Sequence, residues 1–216
     1  MGDLWSIFEE LVFDPPSTED LFNPYNSAHP KLDRKDAGIV RQANLRRYVM
    51  DHLSGAKILL VAEAPGPWGC RFSGVPITSE AHLLDPAFPL RGEQSSAQVK
   101  PHSEYSAGIY WRLLQPYYRS IFTWNTVPFH PHKMGEPLTI RPPRQREVNQ
   151  FLPVLEAVVD YFEPDMILAV GRKAENALLR IGAVATYVRH PSQGGAKLFE
   201  AGVLEAIHSL GLVPSL

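Results

Sequence analysis

Three side chains of different chemistry stand at the ends of apolar runs in this chain. Glu63 follows Lys57-Ile58-Leu59-Leu60-Val61-Ala62, Asn125 lies within Trp124-Asn125-Thr126, and His190 belongs to Arg189-His190-Pro191-Ser192. A carboxylate, an amide and an imidazole on one rim would suit a pyrimidine turned out of a nucleic-acid stack. An Asn side chain can accept from the ring N–H and donate to a carbonyl, while a His N–H can bond the oxygen on which negative charge builds as the base departs.

The elements that must position these groups can be read from the same runs. The run 57–62 is continuously apolar, as expected of a parallel strand covered on both faces. Runs at 121–127, 165–170 and 183–188 look alike, each closed by Pro, Gly or His. Helical periodicity precedes the first strand, with Ile39, Ala43, Met50 and Leu53 expected to face the sheet. It recurs before the third strand through Val148, Leu152, Leu155, Val159 and Phe162, where Pro153 should kink the helix or mark a new start. Helices are also expected over 171–180 and 198–210. The alternation predicts a three-layer α/β/α sandwich around a central, mostly parallel four-stranded sheet, whose ligands collect at the carboxyl ends of the strands. Residues 1–216 are expected to form one domain, with 1–30 an irregular arm over the surface and 85–103 a surface loop or lid.

Composition narrows the classes. The chain has 216 residues, 44% of them hydrophobic, and a formal charge of -2, which fits a globular core and argues against indiscriminate coating of nucleic acid. No apolar run reaches membrane-spanning length and Met1–Glu10 lacks a signal-peptide layout, so an intracellular, cytoplasmic monomer without membrane contact is expected. The lone Cys70 cannot build a cysteine-ligated metal centre, and no metal or other cofactor is expected. His130 and His132 flank Pro131 with no carboxylate spaced to complete a metal site. Arg141, Arg144 and Arg146 form a short basic run that is either a solvated face or a grip on a phosphate backbone.

Several segments together resemble the uracil-DNA glycosylase superfamily. Glu63-Ala64-Pro65-Gly66 is similar to the strand-end motif of its iron-sulfur-containing bacterial and archaeal members. Pro65-Gly66-Pro67-Trp68-Gly69 with Ser73-Gly74-Val75-Pro76 is more similar to the single-strand-selective monofunctional members. His190-Pro191-Ser192 resembles the second signature of the superfamily, and Val170-Gly171-Arg172-Lys173-Ala174 resembles a junction between the two. The resemblance, over about residues 56–200, implies a monofunctional DNA glycosylase of base-excision repair, acting on DNA with a damaged base, uracil foremost. It implies Glu63 and His190 as the catalytic pair, Ala64, Gly66, Pro67, Phe72, Ile77 and Asn125 around the base, and Arg189, Ser192, Gln193, Gly194, Gly195 and Lys197 against the DNA.

The chain also departs from the pattern. The cysteines of the iron-sulfur branch are absent, Ile77 stands where an aromatic ring stacks on uracil, and Ala64 replaces a water-activating Asp or Asn. Phe72 could stack instead, or the pocket could suit hypoxanthine or xanthine. Water activation falls to Glu63, to Glu80 or to no side chain, since departure of the base dominates the barrier of a dissociative reaction. A binding module that keeps the fold without catalysis is the rival reading.

Overall fold

A computed structural model describes residues 4–53 and 55–214, and what was expected of Met1–Asp3 lies outside the described residues. Four strands form the central sheet: β2 (Ile58–Ala62), β3 (Ile121–Asn125), β5 (Met166–Val170) and β6 (Thr186–Val188). Their order is β3-β2-β5-β6 and every neighbouring pair is parallel. The central strand β2 is buried along its whole length, which is why its sequence is continuously apolar rather than alternating.

Helices cover both faces. Successive strand residues point to opposite sides, and on β3 Phe122 stacks on Phe162 of α6 (Gln145–Phe162) while Thr123 meets the Tyr110 hydroxyl of α5 (Tyr105–Leu114). α7 (Arg172–Arg180) packs with α6 and the sheet, and α8 (Ala196–Ser209) packs on β6 and meets α5 through Phe199 and Tyr110. The expected three-layer sandwich is therefore present, with the fourth strand beginning at Thr186 rather than at 183.

Local expectations are corrected in the helix before β2 and in the N-terminal arm, each for an identifiable reason. In α2 (Ala37–Asp51), Ile39 and Met50 are exposed, as is Leu53 just beyond the helix, and the buried face carries Val40, Arg41, Asn44, Leu45, Tyr48 and Val49. Two polar residues disguise that face. Arg41 pairs with Asp33 at 2.7 Å and donates to Ser95, and Asn44 bonds Ser73 and Glu93. Pro153 neither ends nor restarts α6. The carbonyl it leaves without an N–H four residues back belongs to Asn149 on the exposed side.

The N-terminal arm is not an irregular surface wrap either. α1 (Leu4–Phe8) runs into a π-turn at Glu9–Phe13, and β1 (Leu21–Phe22) pairs antiparallel with β4 (His130–Pro131). Phe8, Val12 and Phe13 are buried, and Phe8 stacks on Trp124 at 4.9 Å. The segment 85–103 is anchored as well. Glu80, in α4 (Glu80–Leu84), accepts from the backbone N–H groups of Ser95, Ser96 and His102 and from the Ser96 hydroxyl.

Candidate active site

A cleft of about 550 Å³ opens where β2, β5 and β6 end. Its walls bring together Glu63, Ala64, Gly66 and Pro67 after β2, Gly171 after β5, and Arg189, His190, Ser192 and Gln193 after β6. Ile77, Glu104, Ser106 and the segment 140–143 close the remaining sides. Two motifs more than a hundred residues apart thus meet because parallel pairing places β2 and β6 on either side of β5 with their carboxyl ends on one edge.

His190 is held in a defined protonation form. The Ser192 backbone N–H donates to Nδ1 at 3.1 Å and the Ser192 hydroxyl lies 2.8 Å from the same atom. A nitrogen that accepts from a backbone N–H carries no proton, so the neutral ring bears its hydrogen on Nε2. Burial lowers the pKa of His190 below the ordinary imidazole value, against the pull of Glu63. The neutral donor form therefore prevails at pH 7. Gly195 secures this loop, since a Cβ there would fall 2.1 Å from the His190 carbonyl oxygen. Gly195 is buried and lies under the His190 backbone.

Glu63 stands across the cleft and accepts from Lys173 Nζ at 3.0 Å. Lys173, in the first turn of α7, holds a negative charge at the rim. The loop after Glu63 is fixed from behind by His130, whose Nδ1 donates to the Pro65 carbonyl at 2.8 Å. Burial drives the His130 pKa down to about 4. Among the described residues no group of three or more His, Cys, Asp or Glu side chains could hold a metal ion.

Ile77 contributes strain. Its φ of 45° lies in the left-handed region, which costs a β-branched residue on the order of 1–2 kcal/mol. The surrounding turn enforces it. Tyr25 donates to the Gly74 carbonyl at 2.9 Å, and Ser73 Oγ bonds the Thr78 carbonyl at 2.6 Å. An aliphatic wall, not an aromatic one, is thereby presented to the cleft.

Residues 51–213 match the model of the uracil DNA glycosylase superfamily. The chain belongs to that superfamily. Among solved structures, wild-type SMUG2 of Pedobacter heparinus superposes with a TM-score of 0.65 over 97% of each chain at 12% identity, a likeness of fold. No curated protein sequence matches the chain.

Within this glycosylase-superfamily fold, several expected site residues lie elsewhere. Phe72, in α3 (Cys70–Ser73), has no free face for a base. The His102 ring lies 4.0 Å from its centroid and the Arg71 guanidinium 4.1 Å over the same ring, and Phe72 is fully buried and outside the cleft walls. Glu80 does not line the cleft. Its carboxylate is fully buried and occupied by the four donors from 95–102, so it anchors a loop and has no lone pair placed for water activation. Asn125 is 2% exposed and absent from the cleft walls, with its Nδ2 aimed at Cys70 Sγ at 3.7 Å.

The basic run is largely neutralised. Arg141 forms a bidentate pair with Glu147 and also reaches Asp20, which Arg144 pairs as well. Cys70 is buried, and burial raises its thiol pKa well above the usual range, which suits neither a nucleophile nor a cluster ligand. Gly194 and Lys197 are exposed beside Gln193, whose φ is 53°.

Lys173, beside the cleft through Glu63, and Glu104, in its wall, were not foreseen. Lys173 stood in the junction motif after β5, but its pairing with Glu63 is seen only once α7 is placed. Glu104 lies at the start of a helix, and its one sequence trace is the pair Gly66 and Gly69, whose missing side chains leave it room.

Proposed function

We propose that the protein is a monofunctional DNA glycosylase that hydrolyses the N-glycosidic bond of a damaged base turned into this cleft, with uracil the first candidate and hypoxanthine and xanthine the alternatives. The observation that carries the reading is His190, with Nδ1 capped by Ser192 so that a neutral ring keeps its proton on Nε2 in the cleft wall. A donor preset toward a carbonyl oxygen of the base strengthens its bond as negative charge develops on the leaving group, and removing one such donor costs about a hundredfold to a thousandfold in rate.

Glu63 supports the other half of the reaction. As the glycosidic bond lengthens the sugar becomes positive, and a carboxylate opposite His190 stabilises that charge and can orient the water that completes hydrolysis. Ala64 offers no second group for the water. The strand bearing the base would be gripped by Arg189, Ser192, Gln193, Gly194 and Lys197. Ile77 would pack on the face of the base by apolar contact. The replaced Ala64 and Ile77 favour a second reading, a module that binds damaged DNA without releasing the base.

The test incubates the protein with oligonucleotides carrying uracil, hypoxanthine or xanthine, single-stranded and opposite each base, and scores alkali-labile abasic sites. Release of at least one base, lost in His190→Ala with DNA binding retained, is expected. Binding without release from any of the three would establish the second reading.

A further inference from the structure

Glu104 has no part in the chemistry assigned so far, yet its carboxyl occupies the cleft. It is the N-cap of α5, a position whose side chain ordinarily accepts from amides of the first turn, but it makes no capping bond. It turns instead toward the Pro65–Gly69 loop. A Cβ on Gly66 would fall 1.9 Å from its Oε1, and one on Gly69 1.9 Å from its Oε2. The two glycines form a socket that a side chain at either position would fill.

Within that socket no hydrogen bond or ion pair is recorded for the carboxyl among the described residues, and burial alone acts on it, pushing its pKa up to about 7. The charged and titratable groups nearby are otherwise engaged. Glu63 is paired with Lys173, Arg141 with Glu147 and Asp20, and His190 with Ser192. The His102 ring packs on Phe72 and Trp68, though its buried Nε2 has no hydrogen-bond partner among the described residues. Arg189 lines the cleft without an ion pair to Glu104, and Cys70, which feels Glu104, keeps its proton. The carboxyl is half-buried and faces the open cleft, so its oxygens stand free for a ligand with the matching groups.

An undissociated carboxyl carries an O–H donor beside a C=O acceptor. Its complement is a ring N–H beside a carbonyl, the lactam edge shared by uracil, hypoxanthine and xanthine. We propose that Glu104 is a base-reading residue, donating through its O–H to the carbonyl of the flipped base and accepting from the adjacent ring N–H. The proposal rests on the glycosylase reading only in that a flipped base must reach the cleft. Ionisation turns the carboxyl into an acceptor only, which repels the carbonyl and ends the pairing.

The experiment compares the full-length wild type with Glu104→Gln, whose amide retains one donor and one acceptor without titrating, and Glu104→Ala. The probe is a duplex containing 2′-fluoro-2′-deoxyuridine, which resists base release, measured against the undamaged duplex near pH 6 and pH 8, with melting curves to verify folding. Wild-type preference for the probe should fall about tenfold over that range, following the protonated fraction of a group with a pKa of about 7. Glu104→Gln should restore the preference and remove its pH dependence, and Glu104→Ala should be weak at both values. A pH dependence that persists in Glu104→Gln, undiminished binding by Glu104→Ala, or no wild-type preference would overturn the proposal. Base release is scored in parallel on uracil, hypoxanthine and xanthine. The expected binding pattern without release would retire the glycosylase reading alone, whereas release unaffected by Glu104→Ala would retire the Glu104 proposal alone.

Discussion

Replacing Glu104 by Gln should stabilise the protein at alkaline pH, and by an amount the burial of the carboxyl sets. Burial raises its pKa from 4.5 to about 7, so the folded state holds the proton more tightly than the unfolded chain. The stability linked to that proton is fully present below pH 4.5 and is lost as the pH rises to 7, above which the loss is constant. At about 1.4 kcal/mol per pH unit, the interval amounts to about 3 kcal/mol. Glu104→Gln keeps the shape and escapes the loss, and other titrating groups cancel in the comparison. The difference in unfolding free energy between Glu104→Gln and wild type should therefore grow by about 3 kcal/mol from about pH 4 to pH 8. In urea unfolding with a slope of about 2 kcal/mol per molar, the midpoints should separate by about 1.5 M more at the higher pH. A difference that stays constant across the range would refute the claim that this carboxyl is desolvated without a protein partner.

Other substitutions separate structure from chemistry. Glu80→Gln should lower stability by about 2–4 kcal/mol, because an amide nitrogen then faces donors that a buried carboxylate had accepted. Its single-turnover base release, measured where the protein is folded, should stay near that of wild type, and a large rate loss with unchanged stability would return Glu80 to the site. Gly69→Ala should displace the Glu104 carboxyl, so its effect on probe binding should largely vanish in a Glu104→Ala background, and additive effects would contradict the socket. Base release should hold as the pH falls through the ordinary imidazole range and decline only below it, since burial keeps His190 neutral there. A decline centred at or above pH 6.5 would contradict that reading of the ring.

Much of this was legible in the chain because parallel strands buried on both faces advertise themselves and the groups at their ends fall on one edge. That rule places Glu63 and His190 on the cleft edge, and their roles came from the motif resemblance. Phe72, Glu80 and Asn125 lie outside the cleft walls because what they meet is supplied by 95–102 and by Cys70, segments without periodicity whose path no local pattern reveals. The buried face of α2 was hidden for a related reason, since Arg41 and Asn44 are buried only because loops bring them partners. Glu104 reads as an ordinary helix start, and only the close approach of Gly66 and Gly69 marks it as part of the cleft.

The most direct test of the central claim is the mass of a uracil-bearing oligonucleotide after incubation with the wild type and with His190→Ala. The wild type should yield an intact strand lighter by one hydrolysed base, with free base in solution, and His190→Ala the same product at a rate about a hundredfold to a thousandfold lower. Strand cleavage through a covalent adduct, for which Lys173 beside Glu63 would be the nearest amine, would contradict the monofunctional mechanism. Equal rates for the two proteins would contradict the role assigned to His190.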